Sequence, residues 1–393
     1  MDPYANEWLD FLTRWLHVIA AIVWIGTSFY FVGLDNHLEE PAPDAGEGVG
    51  GEAWEVHGGG FYRVQKFRVA PPRLPDRLLW FKWEAYTTWL SGFALFVFLY
   101  YFNASTYLID PSVADLSTTA AIAISIGLLV VAWVVYDLLC RVVRRELVLA
   151  AAILGLTTLA AWGCSELFSG RAEYVQVGAM LGTIMAANVF FVIIPAHWEL
   201  VRAKEAGREP DPAPGIRAKQ RSVHNNYLTL PVLFAMLSNH FPSAYGHSYS
   251  WLVLVAMMAI GAWIRLFFNL RHEGRNVWWI PVTAALGIAA VAVAIRPTGG
   301  GGAADSVGAV AFSRVQPIVQ ERCVPCHSTH PTKVSSAPLG IVFDTPAQIA
   351  AQASMIKQVA VTTRVMPLGN ATGMTQAERD LLGAWIQQGA KIK

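Results

Sequence analysis

The sequence predicts an all-α fold in which an eight-helix transmembrane bundle precedes a small soluble helical domain. Hydrophobic residues make up 54% of the 393 residues and charged residues only 15%, whereas soluble domains usually carry about 25% charged residues. Long apolar runs recur along most of the chain, and a glycine-rich stretch separates them from a polar C-terminal part. An ordinary soluble enzyme and a disordered chain are therefore excluded. The net charge of +1 gives no indication of nucleic acid binding.

The eight apolar runs have the length that membrane-spanning helices need. About 20 residues of helix cross a hydrocarbon core of ~30 Å, and lipid requires every backbone amide to be bonded within the segment. The sixth run is short and is expected to begin a turn earlier, near His224. The predicted spans are residues 11–33, 79–102, 118–139, 146–163, 174–196, 227–241, 249–270 and 277–295.

The distribution of Lys and Arg between the spans predicts the orientation in the membrane. Basic residues are concentrated in the first, third, fifth and seventh connections, whereas the first ten residues and the other connections hold only Arg171. Because basic loops stay in the cytoplasm, both termini are predicted to be periplasmic. The first ten residues lack the basic region of a cleaved signal peptide, so the first span is predicted to be a retained anchor.

An abrupt change of composition after Ile295 divides the chain. Pro297 and the glycine run at residues 299–302 indicate a flexible tether. The predicted division is a membrane domain at residues 1–296, a Gly-rich linker at 297–304 and a soluble domain at 305–393.

Cys323, Cys326 and His327 form the C-x-x-C-H pattern that attaches a c-type haem. Two thiols at this spacing reach the two vinyl groups of one porphyrin, and the adjacent imidazole faces the iron. C-x-x-C also occurs as half of a zinc site or as a redox pair. No second Cys/His pair stands at zinc spacing, although His330 is nearby. The pattern therefore predicts one covalent haem c with His327 as an axial iron ligand.

The sixth iron ligand is expected downstream, where a thioether would raise the haem potential. Met355, Met366 and Met374 are the candidates, and Met366 is favoured because Pro367 follows it in a non-helical segment. Thr375 and Glu378 then predict a capped terminal helix. These features are typical of a class I-like cytochrome c domain. Covalent haem attachment takes place outside the bacterial cytoplasm, in agreement with a periplasmic C-terminus.

Ionisable side chains within or beside the spans suggest a second haem. His17 and His240 lie toward the outer face and could ligate haem b, as could an inner set of His197, His224 and His272. Alternatively, these imidazoles cap helix ends at the membrane surface. Arg265 in the seventh span requires an anion, for which a haem propionate, an anionic substrate and Glu84 are candidates.

Two glycine-rich stretches follow the first span. Gly46, Gly48 and Gly51 match a dinucleotide fingerprint in spacing, but no strand precedes them, so a flexible turn is predicted. The segment at residues 57–62 places three glycines between His57 and Phe61, with Lys66 behind it. These side chains could bond to, stack on and neutralise a planar anion. A loose basic cytoplasmic loop is the alternative interpretation.

Several long strings resemble the membrane-bound bacterial urate oxidases of the PuuD type, in which an eight-helix domain is fused to a cytochrome c. The resemblance covers essentially the whole chain. The first span also resembles families in which a first-helix histidine binds haem b, which favours His17. The strings lie at residues 15–20 (WLHVIA), 51–66 with the HGGGFY core, 80–86 (WFKWEAY), 182–191 (GTIMAANVFF) and 219–231 (KQRSVHNNYLTLP).

The resemblance implies oxidation of urate to 5-hydroxyisourate in the bacterial inner membrane. Electrons would pass through haem c to a soluble cytochrome c or a terminal oxidase, without hydrogen peroxide as product. A planar anionic substrate requires basic groups, amides and an aromatic face, and His224 is a candidate base. The candidate catalytic and substrate residues are His57, Phe61, Lys66, Lys219, Arg221, His224, Asn225, Asn226 and Arg265.

Two other functions are compatible with these features. A quinol:cytochrome c oxidoreductase would use the same His and Arg residues for a quinone. A non-catalytic haem or metal transport or assembly protein would carry the C-terminal domain as a redox sensor.

Overall fold

The computed structural model describes residues 3–296, 309–334 and 336–392. The chain is mostly helical. The predicted linker at residues 297–304 lies outside the described residues. The helices before the linker are α1 (Pro3–Asn36), α2 (Trp83–Phe96), α3 (Ala104–Tyr107), α4 (Thr118–Val142), α5 (Glu146–Ser165), α6 (Gly170–Asn188), α7 (Ile194–Glu205), α8 (Pro212–Leu237), α9 (Pro242–Tyr245), α10 (Ser250–His272) and α11 (Trp279–Ala294).

Each of the eight predicted spans coincides with helical structure. Two of them contain a π-helical turn, at Val97–Tyr101 after α2 and at Val189–Ile193 between α6 and α7. Among the described residues, five helical stretches are long and apolar enough to cross a membrane; they are Trp8–Asn36, Thr118–Val142, Glu146–Ser165, Gly170–Glu205 and Ser250–His272. The other three predicted spans correspond to α2, α8 and α11, and an eight-span arrangement stays a prediction.

Side-chain caps fix where several helices begin. The hydroxyls of Ser117 and Ser169 accept from the amides of Ala120 and Ala172 at the starts of α4 and α6. The carboxylate of Asp211 does the same for the amide of Ala213 at the start of α8. Each cap satisfies a backbone donor that has no partner within the helix.

Helix α6 lies at the centre of the bundle. Tyr174, Val177 and Met180 are fully buried there, whereas α1 exposes most of its apolar side chains. A Cβ atom added at Gly178 would lie 2.8 Å from the Cβ of Ala235, so α6 and α8 cross closely because the glycine has no side chain.

The all-α prediction is wrong for the segment between α1 and α2. Strands β1 (Val49–His57) and β2 (Gly60–Phe67) form an antiparallel hairpin, with Val56 opposite Phe61. Gly58 and Gly59 form its turn with φ of 59° and 83°, which glycine adopts at little cost. The hairpin includes most of the predicted glycine loops and marks one end of the bundle, called here the hairpin end.

The described part of the C-terminal region has a hydrophobic core of its own. Trp385 is 1% exposed and packs on Phe312 with ring centroids 5.5 Å apart. The capping box of Thr375 and Glu378 forms at the start of the last helix, as the sequence predicts. The helices of this region are α12 (Phe312–Arg322), α13 (Pro346–Ala351), α14 (Ala353–Ile356) and α15 (Gln376–Gln387).

The C-terminal region contacts the bundle at the end opposite the hairpin. The backbone of Gly369 lies against the carbonyls of Thr106 and Ile109, and Gly246 lies against Thr363. A cavity of about 910 Å³ opens between the two parts and is lined by residues of both.

Candidate functional site

A group of buried polar side chains surrounds α8 near the hairpin end of the bundle. Arg221 and Asn225 on α8 are 4% and 5% exposed, and Asn226 is fully buried. Burying such groups is unfavourable unless they are paired, so their partners decide what the site can do. Because successive helical residues differ by about 100° in direction, Asn225 and Asn226 face different neighbouring helices. The polar residues therefore form two groups.

The first group, called here the histidine cluster, joins α8 to α4 and α6. Arg221 Nη2 donates to Asp137 Oδ1 at 2.7 Å, and the guanidinium lies over the ring of Tyr136. His224 Nδ1 lies 2.8 Å from the Tyr136 hydroxyl. Asn188 Nδ2 donates both to that hydroxyl and to Asn225 Oδ1, each at 3.0 Å.

The histidine cluster reaches the surface at two places, through the ion pair of Asp137 with the exposed Arg141 and through the imidazole of His224. His224 Nε2 lies 3.6 Å from a carboxylate oxygen of Glu146, and the side chains are 12% and 67% exposed. The His224 ring therefore stands between a buried phenol and an exposed carboxylate. This arrangement suits a group that moves a proton between the interior and the surface.

The second group, called here the arginine cluster, joins α8 to α10 and α1. Arg265 Nε donates to Asn226 Oδ1 at 2.8 Å, and Asn269 Nδ2 donates to the same oxygen at 3.1 Å. The Arg265 guanidinium lies 3.7 Å from the ring centroid of Phe29. Among the residues that the structure describes, no carboxylate forms an ion pair with Arg265, which is 3% exposed. The predicted partner Glu84 is therefore not used, and the buried cation lacks a counter-charge.

Five buried polar atoms of the two clusters have no hydrogen-bond partner in the described structure. The arginine cluster offers the donors Arg265 Nη2 and Asn226 Nδ2 and the acceptor Asn269 Oδ1. The histidine cluster offers the donor Arg221 Nη1 and the acceptor Asn188 Oδ1. An unmade hydrogen bond at a buried group costs about 1–3 kcal/mol. The three atoms of the arginine cluster, together with the uncompensated Arg265, could bind an anion that has both oxygen acceptors and N–H donors.

The candidate residues on the hairpin lie apart from these clusters. His57 and Phe61 are exposed beside the hairpin turn, with Phe61 78% exposed. Lys66 and Lys219 both form ion pairs with Asp35 at the end of α1. The predicted catalytic and substrate residues thus divide into a surface set and a buried set. The clusters contain Arg221, His224, Asn225, Asn226 and Arg265.

The candidate haem b histidines are dispersed over the bundle. His17 Nδ1 lies 3.0 Å from the carbonyl oxygen of Thr88, and Gly92 leaves room for the ring, since an added Cβ would lie 2.7 Å from His17 Cε1. This contact leaves Nε2 available for a ligand. His240 is exposed at the opposite end of the bundle from the hairpin, and in the described structure no hydrogen bond or ring contact joins it to His17.

The inner set of histidines does not converge either. His197 is exposed near Trp80, and His272 lies beside Gly33 and His37. His224 belongs to the histidine cluster. Among the described residues, no group of three or more His, Cys, Asp or Glu side chains could hold a metal ion. Haem b and its ligands stay predictions.

The C-x-x-C-H motif follows directly after α12. The amides of Cys326 and His327 both donate to the carbonyl of Cys323, which folds the motif into one turn. His327 Nδ1 lies 3.1 Å from the carbonyl oxygen of Ile341, which orients the ring and leaves Nε2 for iron. Both cysteines are free thiols. The donor set and its apolar surroundings therefore fit a haem c.

The chemistry of the two thiols is unlike that of a reactive pair. Burial raises the pKa of Cys323 to about 12 and also raises the pKa of Cys326. Redox-active cysteines have a lowered pKa because cationic groups or a helix N-terminus stabilise the thiolate. The surroundings of Cys323 and Cys326 instead raise the pKa of both thiols.

The three candidate methionines differ in burial. Met355 is 37% exposed, whereas Met366 packs against the C-terminal core and Met374 is 3% exposed within it. The carbonyl of Met366 accepts from Arg379 Nη1 at 2.7 Å, which fixes the segment. Met366 is therefore a half-buried candidate ligand and Met374 a buried one, whereas Met355 is exposed.

Four residues of the clusters were not among the sequence candidates: Tyr136, Asp137, Asn188 and Asn269. Asp137 had a usable signal, since an ionisable residue within an apolar run is functional by default. The other three are uncharged, and only the packing of α4, α6 and α10 against α8 brings them into the clusters.

Comparison with known proteins gives one family match. No curated protein and no solved structure matches the chain. Residues 3–296, which include both clusters and the hairpin, match the model described as urate oxidase N-terminal. The chain therefore belongs to the urate oxidase N-terminal family.

Proposed function

We propose that this protein is a membrane-bound urate oxidase that converts urate to 5-hydroxyisourate and passes the electrons through haem c to the respiratory chain. Family membership supports a function related to urate, and the five apolar helices support membrane association. The proposed location is the bacterial inner membrane, with the termini and the cytochrome c domain in the periplasm. A soluble cytochrome c or a terminal oxidase is the proposed acceptor, so no hydrogen peroxide forms.

The arginine cluster is the observation that carries this proposal. Arg265 is buried and has no acidic partner among the described residues, and Asn226 and Asn269 present beside it a donor and an acceptor without a partner there. The urate anion has carbonyl oxygens for Arg265 and Asn226 and N–H groups for Asn269. Binding would compensate the buried cation and complete the amide hydrogen bonds together. A neutral ligand or a purely apolar one would leave the charge of Arg265 unpaired.

The reaction requires groups that accept protons. Urate and one water molecule give 5-hydroxyisourate, two protons and two electrons. We assign proton transfer to His224, because its ring connects the Tyr136 hydroxyl to the exposed Glu146. His224 and Asn226 lie on different faces of α8, so the imidazole acts from the histidine cluster while Arg265 and Asn226 hold the anion.

The C-terminal residues supply the electron acceptor. Haem c, when bound, takes up electrons one at a time. Cys323 and Cys326 would form its thioethers, His327 would be one axial ligand, and Met366 is the proposed second. The clusters near the hairpin end lie about one membrane thickness, ~30 Å, from the C-terminal region. A further one-electron carrier would therefore be needed between them. Haem b is the proposed candidate, and His17, whose contact with Thr88 leaves one ring nitrogen free, would be one of the residues that hold it.

The decisive experiment is a reduced-minus-oxidised spectrum of the purified full-length protein before and after anaerobic addition of urate, without added quinol. We expect the spectrum of a reduced c-type haem, and pyridine haemochrome analysis should give one covalent haem per chain. Reduction by quinol but not by urate would establish the quinol oxidoreductase alternative. Absence of turnover with any purine would favour the non-catalytic alternative.

A further inference from the structure

The C-terminal region contacts the bundle through residues 362–370, called here the docking segment. This segment contains Met366 and includes the short turn Leu368–Asn370. Val365 packs against the main core of the bundle, beyond the C-terminal region's own core. The docking segment therefore belongs to both parts of the molecule.

Gly369 gives the closest contact on the C-terminal side. Its φ is 56°, and a Cβ atom added there would lie 2.8 Å from the carbonyl oxygen of Thr106 and 2.9 Å from that of Ile109. Both oxygens are backbone atoms of the α3 segment and cannot move aside as a flexible side chain could. Only a residue without a side chain fits this position in the docked arrangement.

Gly246 gives a corresponding contact on the bundle side. A Cβ atom added there would lie 2.6 Å from the carbonyl oxygen of Thr363 and 2.7 Å from its Cβ, and also 2.8 Å from the carbonyl oxygen of Pro242 in the same turn. Two backbones thus approach each other at two separate places, each through a glycine. A domain that visits the bundle only transiently would not need this fit at both contacts.

Arg379 on α15 holds the docking segment from behind. Its Nη1 donates to the carbonyls of Ala360 and Met366, and Nη2 lies 3.5 Å from Asn370 Oδ1. The guanidinium also interacts electrostatically with Asp110, which follows α3. The segment is therefore presented to the bundle as a rigid surface.

We propose that the docking segment keeps the C-terminal region seated on the bundle, and that electrons reach haem c across this contact, at the edge that bears Met366. The docking stands on geometry alone, whereas the electron path rests on the proposed function. The predicted glycine linker would then join two parts that stay in contact, and would not release a mobile carrier.

A matched pair of glycines tests the proposal. Gly369→Ala and Gly373→Ala both place a side chain at positive φ, 56° and 67°, within the same loop. Only Gly369 faces the bundle, because nothing lies within 4 Å of a Cβ added at Gly373. The strain of the substitution is thus matched, and only the contact differs.

Amide hydrogen exchange of the full-length protein in detergent gives the first readout, measured by mass spectrometry at residues 104–110 and in the docking segment. We expect about tenfold faster exchange in Gly369→Ala and no change in Gly373→Ala. The docking proposal would be overturned if exchange became faster by the same factor in both variants, or if neither variant differed from wild type. Val365→Ala, which removes an apolar contact of the docking segment with the bundle core and changes neither glycine, repeats the test should Gly369→Ala fail to fold.

The rate of haem c reduction after rapid mixing with urate gives the second readout. We expect at least a tenfold slower rate in Gly369→Ala, with an unchanged haem spectrum and potential. An unchanged rate despite faster exchange would overturn the electron path and leave the docking intact. Failure of urate to reduce the wild-type haem would refute the proposed function, while the exchange result would stand.

Discussion

The bundle and the C-terminal region treat their buried polar groups in opposite ways. Nine buried side-chain atoms without hydrogen-bond partners occur in the described structure, and all of them belong to residues before 297. Five of these atoms are in the two clusters around α8. Unpaired buried atoms in the bundle are available to a polar ligand, whereas the described interior of the C-terminal region offers none.

Two buried arginines, one in each region, differ in the same way in how their hydrogen-bond donors are used. Arg379 donates to two carbonyls within the C-terminal region and is 5% exposed. Arg265 is 3% exposed and donates to a single amide oxygen, with its guanidinium over Phe29. The guanidinium of Arg379 donates to carbonyl groups of the C-terminal region, so this arginine has a structural role. Arg265 retains capacity for a ligand.

The largest effect is expected from Arg265→Gln. The substitution removes a charge-assisted hydrogen bond of ~1.5–3 kcal/mol and also the only uncompensated buried cation of the described clusters. Urate-dependent reduction of haem c should therefore become roughly 100-fold slower. Stopped-flow reduction of the purified variant measures this. Arg271→Gln is the control, because Arg271 is an exposed basic residue on the same helix. Equal activity of both variants would remove the arginine cluster from the site.

A second test concerns the proposed haem b. His17→Ala should abolish any b-type absorption of the purified protein, since the anchored imidazole would be an iron ligand. His240→Ala tests the other member of the predicted outer pair. A b-type spectrum of full intensity in His17→Ala would clear this residue of ligation.

The second iron ligand of haem c can be identified by comparing variants of the candidate methionines. Met366→Ala should lower the haem c potential by on the order of 100 mV because the thioether is lost, whereas Met355→Ala, at an exposed position, should leave it unchanged. Redox titration of the α-band measures both. A lowered potential in Met374→Ala instead would transfer the role to that buried methionine.

The smallest effect is expected at the cap of α15. Burial alone would raise the pKa of Glu378, but hydrogen bonds from Arg322 and from Thr375 outweigh it and hold the pKa below its usual value. The carboxylate therefore contributes stability above the unfolded pKa of about 4.3, and this contribution is lost as the pH falls through the folded pKa.

At neutral pH, Glu378→Gln should destabilise the C-terminal region by about 1–2 kcal/mol. Guanidinium unfolding followed by haem absorbance measures this, and the difference from wild type should disappear in acid. Asp380→Asn serves as the control, since Asp380 bonds only to Gln376 on the same helix. A difference independent of pH would mean that the charge of Glu378 does not matter.

Local patterns predicted much of the fold. The C-x-x-C-H turn at Cys323 and the cap at Thr375 depend on neighbours within a few residues, and each of the eight apolar runs coincides with helical structure. The hairpin differs from the predicted loop, because glycines at 58–60 suit a loop and a tight β-turn equally well. Gly58 and Gly59 between two runs of β-branched and aromatic residues were a hairpin signal.

The site was only partly predictable, for a physical reason. Arg221, Asn225 and Asn226 stand out as polar residues beside an apolar run, but their partners depend on how α8 is rotated against its neighbours. That rotation divides adjacent residues between two clusters and leaves Lys219 at the surface with Asp35. Neutral residues such as Asn188 and Asn269 carry no signal until the helices are packed.

The π-helical turn after Asn188 has a consequence for the whole length of this helical stretch. A π turn holds one extra residue, which rotates all that follows by about 100° relative to an uninterrupted α-helix. Asn188 can thereby point into the bundle while Trp198, ten positions later, stacks on Trp80 with ring centroids 4.4 Å apart. Deleting a single residue from Val189–Ile193 would restore the regular winding, and Asn188 and Trp198 could then no longer face their present partners at the same time. The π turn therefore sets the angle between the polar side of the helix at Asn188 and its aromatic side at Trp198.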